Sequence, residues 1–310
     1  MDTLRAAPSE KGDSLIGNSI KINEETCKKC GFCSEVCPNK IIKKDDLGQL
    51  SFRQDRIHFC IKCGQCMAIC PTESILIEGF SYSKDFFDLP ESESFEKSFF
   101  NMILTRRAVR NFKDKPVPRE LLEKIVQAIA FAPPGFPPIK TEIVVVQDTS
   151  LIRKALPHMI GVYDFLVKAM GNPIMRFFIK RRVGREKFNI LAHHVVPLMK
   201  NRLPELKTGV EDTITRGAPA MIIFHANRKE ENYREDIYIA LTYGFLAAHA
   251  LGLGGSAMDI IPPPIERNKE LRKMFLIPET NEVVGCMILG YPKYSYKRAI
   301  KRELKSVRWI

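Results

Sequence analysis

Apolar residues recur on helical spacing between residues 118 and 132, at Leu121, Leu122, Ile125, Val126 and Ile129. The period predicts an amphipathic helix, and Pro133-Pro134-Gly135 ends it. Residues 141–147 (TEIVVVQ) form a near-continuous β-branched run, which predicts a strand buried on both faces. Residues 219–226 (PAMIIFHA) and 282–289 (EVVGCMIL) read the same way. Between these two lies a predicted helix over 234–251, with Ala240, Gly244, Ala247 and Ala248 along it. Small residues there permit close helix packing, a subunit interface being one place for it. Residues 158–168 and 172–180 predict two further helices. The mixture is an α+β pattern.

Before residue 81 the apolar positions are sparse. Ile41, Ile42, Ile57, Ile75, Leu76 and Ile77 predict a thin core. Residues 81–98 (SYSKDFFDLPESESFEKS) are rich in Ser and Glu and read as a connector; their acids alternatively cap a helix beginning near Ser98. The expected layout is a flexible tail over 1–20, a small domain over 21–80, the linker over 81–98 and a larger domain over 99–310.

The chain has 310 residues, 45% of them hydrophobic and 27% charged, which suits a globular protein with a real core and excludes disorder or coiled coil as its main state. No apolar run reaches the ~18–20 residues that span a bilayer. The first 20 residues lack an apolar core of secretory type, so the expected location is the cytoplasm. The net charge of +12 is unevenly spread. Residues 1–100 carry 13 basic and 16 acidic side chains, and residues 101–310 carry 35 and 20. The basic, aromatic stretch 176–185 (RFFIKRRVGR) reads as a solvated helix face, a lid over an anionic ligand or a docking surface for an acidic partner. No nucleic-acid motif accompanies the charge.

Eight of the nine cysteines lie between Cys27 and Cys70. Cys27, Cys30, Cys33 and Cys37 precede Pro38; Cys60, Cys63, Cys66 and Cys70 precede Pro71. Each run reads C-x2-C-x2-C-x3-C-P. Three closely spaced thiolates wrap three irons of one cubane, and the fourth points to the other cluster. Cys27, Cys30, Cys33 and Cys70 are therefore assigned to one [4Fe–4S] cluster, and Cys60, Cys63, Cys66 and Cys37 to the second. Pro38 and Pro71 fix the backbone where each run turns off, and Gly31 and Gly64 leave room beside the inorganic sulfides. Zinc favours four ligands in patterns such as two separated CxxC pairs, a poor fit to two four-cysteine runs. The stretch resembles a bacterial-type two-cluster ferredoxin over about 60 residues. Clusters ligated at every iron carry electrons one at a time and make no bonds, so this half is a wire.

The basic half begins with Thr105-Arg106-Arg107-Ala108-Val109-Arg110-Asn111-Phe112. Guanidinium groups give planar, bidentate donors suited to a phosphate and a polar ring edge. This start, a helix stopped by Ala-Pro, a buried strand, the segment from Asp236 to Leu251-Gly-Leu-Gly-Gly-Ser256, and Leu289-Gly-Tyr-Pro292 with Lys297-Arg298 resemble the FMN-dependent nitroreductase family over roughly residues 99–310. The resemblance implies a central mixed sheet flanked by helices and a homodimer with FMN at its interface. It implies that Arg106, Arg107 and Arg110 contact the ribityl phosphate and isoalloxazine, and that Arg298, with Lys297, is a C-terminal phosphate ligand. It implies that the loop 254–260, with Gly255, Met258 and Asp259, turns a backbone N–H to flavin N5. Two features depart from the family: Ala108 stands where Ser is usual, and Pro133-Pro-Gly-Phe-Pro-Pro138 lacks the usual Asn and Gln.

No GxGxxG follows a strand and no Walker A pattern occurs, so a dedicated dinucleotide domain is not expected. The implied function is an oxidoreductase. Electrons pass singly from the clusters to FMN, and a pair passes as hydride to a nitroaromatic, quinone, activated alkene or halogenated aromatic acceptor. The donor is a ferredoxin, a flavodoxin or NAD(P)H. The alternatives are an electron-transfer or redox-sensing protein without its own substrate, and a dehalogenating or flavin-modifying enzyme. Cys286 reads as a core thiol. His193 and His194, adjacent on a helix, cannot face one site together. His225 ends a strand and His249 lies on the small-residue helix; both read as structural, with approach to a flavin as the lesser alternative, nothing singles out Tyr238 or Tyr243 as a proton donor, and Trp309 reads as a packing residue.

Overall fold

A computed structural model describes residues 20–86, 88, 95–135, 141–295 and 304–310. The expected 1–19 part of the tail, residues 87 and 89–94 of the acidic linker, residues 136–140, Lys297 and Arg298 lie outside the described residues. The chain divides into two compact units, 1–93 and 94–310.

The first unit is built from short elements. Strand β1 (Ile20–Ile22) pairs antiparallel with β4 (Ile75–Ile77), and β2 (Ile42–Lys44) with β3 (Leu50–Phe52). Helices α1 (Phe32–Val36) and α2 (Gln65–Ala68) lie within the two cysteine runs and carry Cys33 and Cys66. Ile41, Ile42, Ile75 and Ile77 are buried as expected, joined by Ile20 and Met67. Leu76 is instead 46% exposed. It alternates with Ile75 and Ile77 on one strand, and successive side chains of a strand point to opposite faces. Ile57 is only half-buried. A helical turn, α3 (Tyr82–Asp85), occupies part of the predicted linker. Tyr82 and Phe86 stack with Phe80 against this core, so the module extends past residue 80.

In the second unit α4 (Glu96–Thr105) starts inside the other end of the predicted linker and runs to the arginine-rich turn. Helix α5 (Arg119–Ala130) buries Leu122, Ile125 and Ile129, the stripe the period predicted. A four-stranded antiparallel sheet has the order β5 (Glu142–Val146), β6 (Ala220–Asn227), β8 (Asn281–Gly290), β7 (Gly254–Ala257). The parallel element of the sheet is the isolated bridge from Ala108 to Gly255. Strand β6 is buried almost throughout, whereas β5 exposes Glu142 and Val145. The β-branched run of β5 suggested burial on both faces, but β5 is an edge strand.

Side chains of β6 alternate between two cores. Met221 and Ile223 face one, packed under α6 (Thr149–Gly171) and α9 (Val196–Thr208) with α11 (Pro262–Arg267) and α12 (Lys269–Met274). Ala220, Ile222 and Phe224 face the other, under α5 and α10 (Tyr233–Ala250). The predicted 158–168 helix is the middle of α6, and the 172–180 helix is α7 (Pro173–Val183). Asn172 caps α7 by accepting from the N–H groups of Ile174 and Met175. Helix α8 (Arg185–Ile190) and a π-turn at Leu191–Val195 complete the insertion.

Candidate functional site

The cysteine runs fold alike. Lys29 and Lys62 have φ of 51° and 50°, and Gly31 and Gly64 have φ of 86° and 73°. Lys40 and Glu73, three residues after Cys37 and Cys70, share φ of 49° and 51°. The backbone thus curls around each set of three thiols in the same way. Glycine takes the αL conformation without steric cost at the start of α1 and α2, which lets each helix begin directly at the cysteines. Backbone N–H groups point at sulfur in equivalent places: Ile41 donates to Cys37 Sγ at 3.3 Å and Ser74 to Cys70 Sγ at 3.2 Å.

Which thiols face which is decided by the tertiary fold. A cavity of about 30 Å³ is lined by Cys37, Cys60, Cys63 and Cys66, with Pro38, Gly64 and the isoleucines of the core. Burial, and then the sulfurs of Cys63, Cys37 and Cys60, push the Cys66 thiol up to about 12. Burial likewise raises Cys33, whose sulfur neighbours are Cys70, Cys30 and Cys27. The fourth cysteine of each run therefore lies against the first three of the other run. A cradle of four clustered thiols suits an iron–sulfur cubane, whose soft irons each take one thiolate. Among the described residues no three His, Cys, Asp or Glu side chains converge on a single-ion site. A cubane spreads its four ligands over separate irons.

In the second unit the turn after α4 lies along β7. Val109 N donates to Gly255 O at 3.0 Å, and Ala108 bridges Gly255. This approach requires glycine: a Cβ on Gly254 would lie 2.4 Å from Val109 Cγ2, and one on Gly255 would lie 3.1 Å from Ile288 O. A narrow recess opens here, lined by Arg106, Arg107, Phe245, His249, Leu253, Gly254 and Gly255. Arg106 sits over the Phe245 ring at 5.9 Å. The Arg107 guanidinium donates to the carbonyls of Leu104 (2.8 Å) and Arg106 (2.6 Å), at the negative end of α4. Two guanidiniums beside glycine backbone make a cationic recess that suits a phosphate.

The other predicted residues are dispersed. Arg110 is exposed and faces a second basic patch, where burial first, and then Arg202 and Arg110, make Arg216 a weaker base than usual. Met258 is buried, and its N–H is committed to Cys286 O at 2.9 Å. It can shape the loop but offers no backbone donor. Asp259 is exposed and lines an open cavity of about 480 Å³ with Tyr238, Pro262, Pro263, Arg267 and Glu282. The structure thus brings Arg106, Arg107 and Gly255 together at one end of β7, and places Met258 and Asp259 beyond its other end.

Phe245 was not read from the sequence; it stands four residues before His249 on α10, a spacing that puts both on one face. Their recruitment by the arginine turn is long-range, through a 2.8 Å contact of His249 Nε2 with Thr105 Oγ1. Asp236 is buried, and its Oδ1 accepts from Gly135 N at 2.8 Å, tying the proline loop to the first turn of α10. The Asn- and Gln-free loop thus has its own anchor. Other tempting residues are structural. His225 is buried and accepts from Asn281 Nδ2 at 2.9 Å. Cys286 is buried, and burial raises its thiol pKa well above the usual value. The 176–185 stretch exposes Phe177 and Phe178, while Arg176 and Lys180 lie over the Phe188 ring at 5.6 and 5.8 Å. Among the described residues no helix is long and apolar enough to cross a membrane.

Residues 103–291 match the nitroreductase family, and residues 19–79 match the 4Fe-4S dicluster domain. The chain is similar to a protein of Archaeoglobus fulgidus named as an NADH dehydrogenase/NAD(P)H nitroreductase, with 26% identity over 197 residues, 62% of this chain and 84% of that one. It is also similar to iodotyrosine deiodinase of Danio rerio, with 21% identity over 203 residues, 65% of this chain and 63% of that one. Among solved structures, a nitroreductase with bound FMN from Bacteroides fragilis aligns with a TM-score of 0.49 and 17% identity, covering 71% of this chain and all of that one.

Proposed function

The chain belongs to the nitroreductase family and carries a 4Fe-4S dicluster domain, and from that premise we propose that it is a flavin-dependent oxidoreductase in which two [4Fe–4S] clusters exchange electrons with FMN for reduction of a small oxidised acceptor. FMN supplies, when bound, the interchange between one-electron and two-electron chemistry. The observation that carries the reading is the coexistence in one chain of a four-thiol cradle and a cationic, glycine-lined recess.

Each residue has a task in this reading. Cys37, Cys60, Cys63 and Cys66 hold one cluster, and Cys27, Cys30, Cys33 and Cys70 the other. Arg106 and Arg107 neutralise the phosphate, and Gly254 and Gly255 let the backbone approach it. Met258 sets the path of the loop that carries Asp259 toward the open cavity. Lys297 and Arg298 complete the phosphate contacts, whereas Arg110 faces the patch with Arg202 and Arg216. A homodimer is supported by apolar surface left uncovered on adjacent helices: Phe99, Phe100, Ile103 and Leu104 on α4, and Tyr238, Ile239 and Tyr243 on α10. Apolar side chains left exposed on two helices that pack together are material for an interaction surface.

The test is an anaerobic cofactor inventory followed by reductive titration. The expected content is about eight iron, about eight sulfide and one FMN per chain, as two cubanes require. The titration should show clusters and flavin exchanging electrons. Protein that carries clusters but neither retains nor binds FMN would overturn the reading. Similarity to iodotyrosine deiodinases from Danio rerio and Nematostella vectensis favours a second choice of acceptor, a halogenated aromatic. Release of halide with dehalogenated product would distinguish it from nitro reduction.

A further inference from the structure

The recess at the start of β7 holds one side chain whose charge can change near neutrality. His249 comes from the last turn of α10, and its Nε2 lies 2.8 Å from Thr105 Oγ1. The Thr105 hydroxyl donates to Asn101 O at 2.7 Å. Its lone pair therefore accepts the Nε2 hydrogen, and in the neutral ring Nδ1 is the nitrogen without a proton. The charged groups that act on the ring are Arg106 and Arg107, both from the turn after α4. The β7 side brings Leu253, Gly254 and Gly255, and α10 itself brings Phe245. Among the described residues no carboxylate acts on His249.

Burial first, and then the two guanidiniums, hold the ring below the usual histidine value, so it is neutral near pH 7. A phosphate monoester carries about −1.5 to −2 charges at pH 7 and reverses the local field.

We propose that His249 is a proton-accepting ligand of the FMN phosphate: the ring takes up one proton, at Nδ1, when the phosphoryl group enters the recess beside Arg106 and Arg107. The inference rests on the flavin reading above. The proton comes from solvent and stays on the imidazole while FMN is bound; no covalent bond of FMN changes. Thr105 is a positioning residue that holds the Nε2–H.

The sign of the pH dependence separates this from a pocket of arginines alone. From about pH 7 upward the empty ring is neutral, because burial and then the two guanidiniums lower it, and the ring beside phosphate is charged. Binding then consumes a proton, and affinity falls as pH rises, by at most about tenfold per unit. With arginines alone the trend reverses, because the phosphate gains its second charge near pH ~6 and binds better above it.

The experiment uses the full chain, stripped of flavin under anaerobic conditions. FMN and riboflavin are titrated by flavin fluorescence at pH 6, 7 and 8, and FMN by calorimetry at pH 7 in two buffers of different ionisation heat. The expected result for the wild type is FMN binding about tenfold weaker at pH 8 than at pH 6, with a buffer-dependent heat that reports proton uptake. Riboflavin should show neither effect, and His249→Gln should flatten the FMN trend. Heat that is the same in both buffers would overturn the proposal while leaving the flavin reading intact. So would an equal pH trend for riboflavin, which lacks the phosphate. Failure of the wild type to bind FMN at any pH would overturn both. The calorimetry needs no variant, so misfolding of His249→Gln would not rescue the proposal.

Discussion

Cys37 and Cys70 are read differently by the chain and by the fold. In the sequence each closes its own run; in space each lies with the other run's first three thiols. The spacing made this legible, because a cysteine four residues beyond a tight triad, followed by proline, is carried away from it. A variant series tests it. In electron paramagnetic resonance of the reduced protein, Cys37→Ala and Cys63→Ala should perturb one cluster signal, and Cys70→Ala and Cys30→Ala the other. Coupling of Cys37 to Cys30 instead would refute the crossed arrangement. The arginine turn was legible only as chemistry. Three closely spaced arginines suggested an anion site, but Arg106 and Arg107 enter the recess while Arg110 turns to the patch with Arg202 and Arg216. Sequence spacing cannot settle that, because the turn has no regular period.

At the scale of elements, hydrophobic period was a good guide wherever one face is buried. Helix α5 buries the predicted residues Leu122, Ile125 and Ile129 against α10 and β6. Ile125 is fully buried, so Ile125→Ala should cost roughly 2–5 kcal/mol of stability for the second unit. Chemical denaturation of the full chain, followed by far-UV circular dichroism, measures it; a loss below about 0.5 kcal/mol would mean that α5 is not part of the core. Pattern reading failed where composition and position disagree. Strand β5 has the β-branched run of a central strand, yet it pairs only with β6 and leaves Val145 exposed. Leu76 was taken for core because it is flanked by isoleucines, but alternation turns it outward. The predicted linker yielded a helical turn at one end because Tyr82 and Phe86 find an aromatic partner in Phe80.

For the molecule as a whole, the two units differ in what holds them together. The second has two extensive cores, one on each face of its sheet. The buried core of the first amounts to Ile20, Cys33, Ile42, Met67, Ile75 and Ile77 around its cysteines. A core this small leaves much of the stability to the clusters, as metal sites do in other small domains. Oxidative removal of iron from the full chain should therefore unfold the first unit and spare the second. Limited proteolysis and circular dichroism would then show loss of the N-terminal segment only, with a stable fragment beginning near residue 94. Resistance of the N-terminal unit to proteolysis after iron loss would contradict this account.

The sequence by itself determined the chemistry of the cysteine module, the division into a cysteine-rich and a basic part, and the faces of the helices that bury a stripe. Local spacing encodes these, since each depends on residues within one or two turns of each other. Only the tertiary structure decided that β5 is an edge, that Met258 spends its N–H on Cys286, and that Thr105, Arg106, Arg107, Phe245 and His249 meet at one recess. Those outcomes depend on contacts between segments tens of residues apart, and at the recess more than a hundred, and the recess exists because Gly254 and Gly255 have no side chains to keep the arginine turn away.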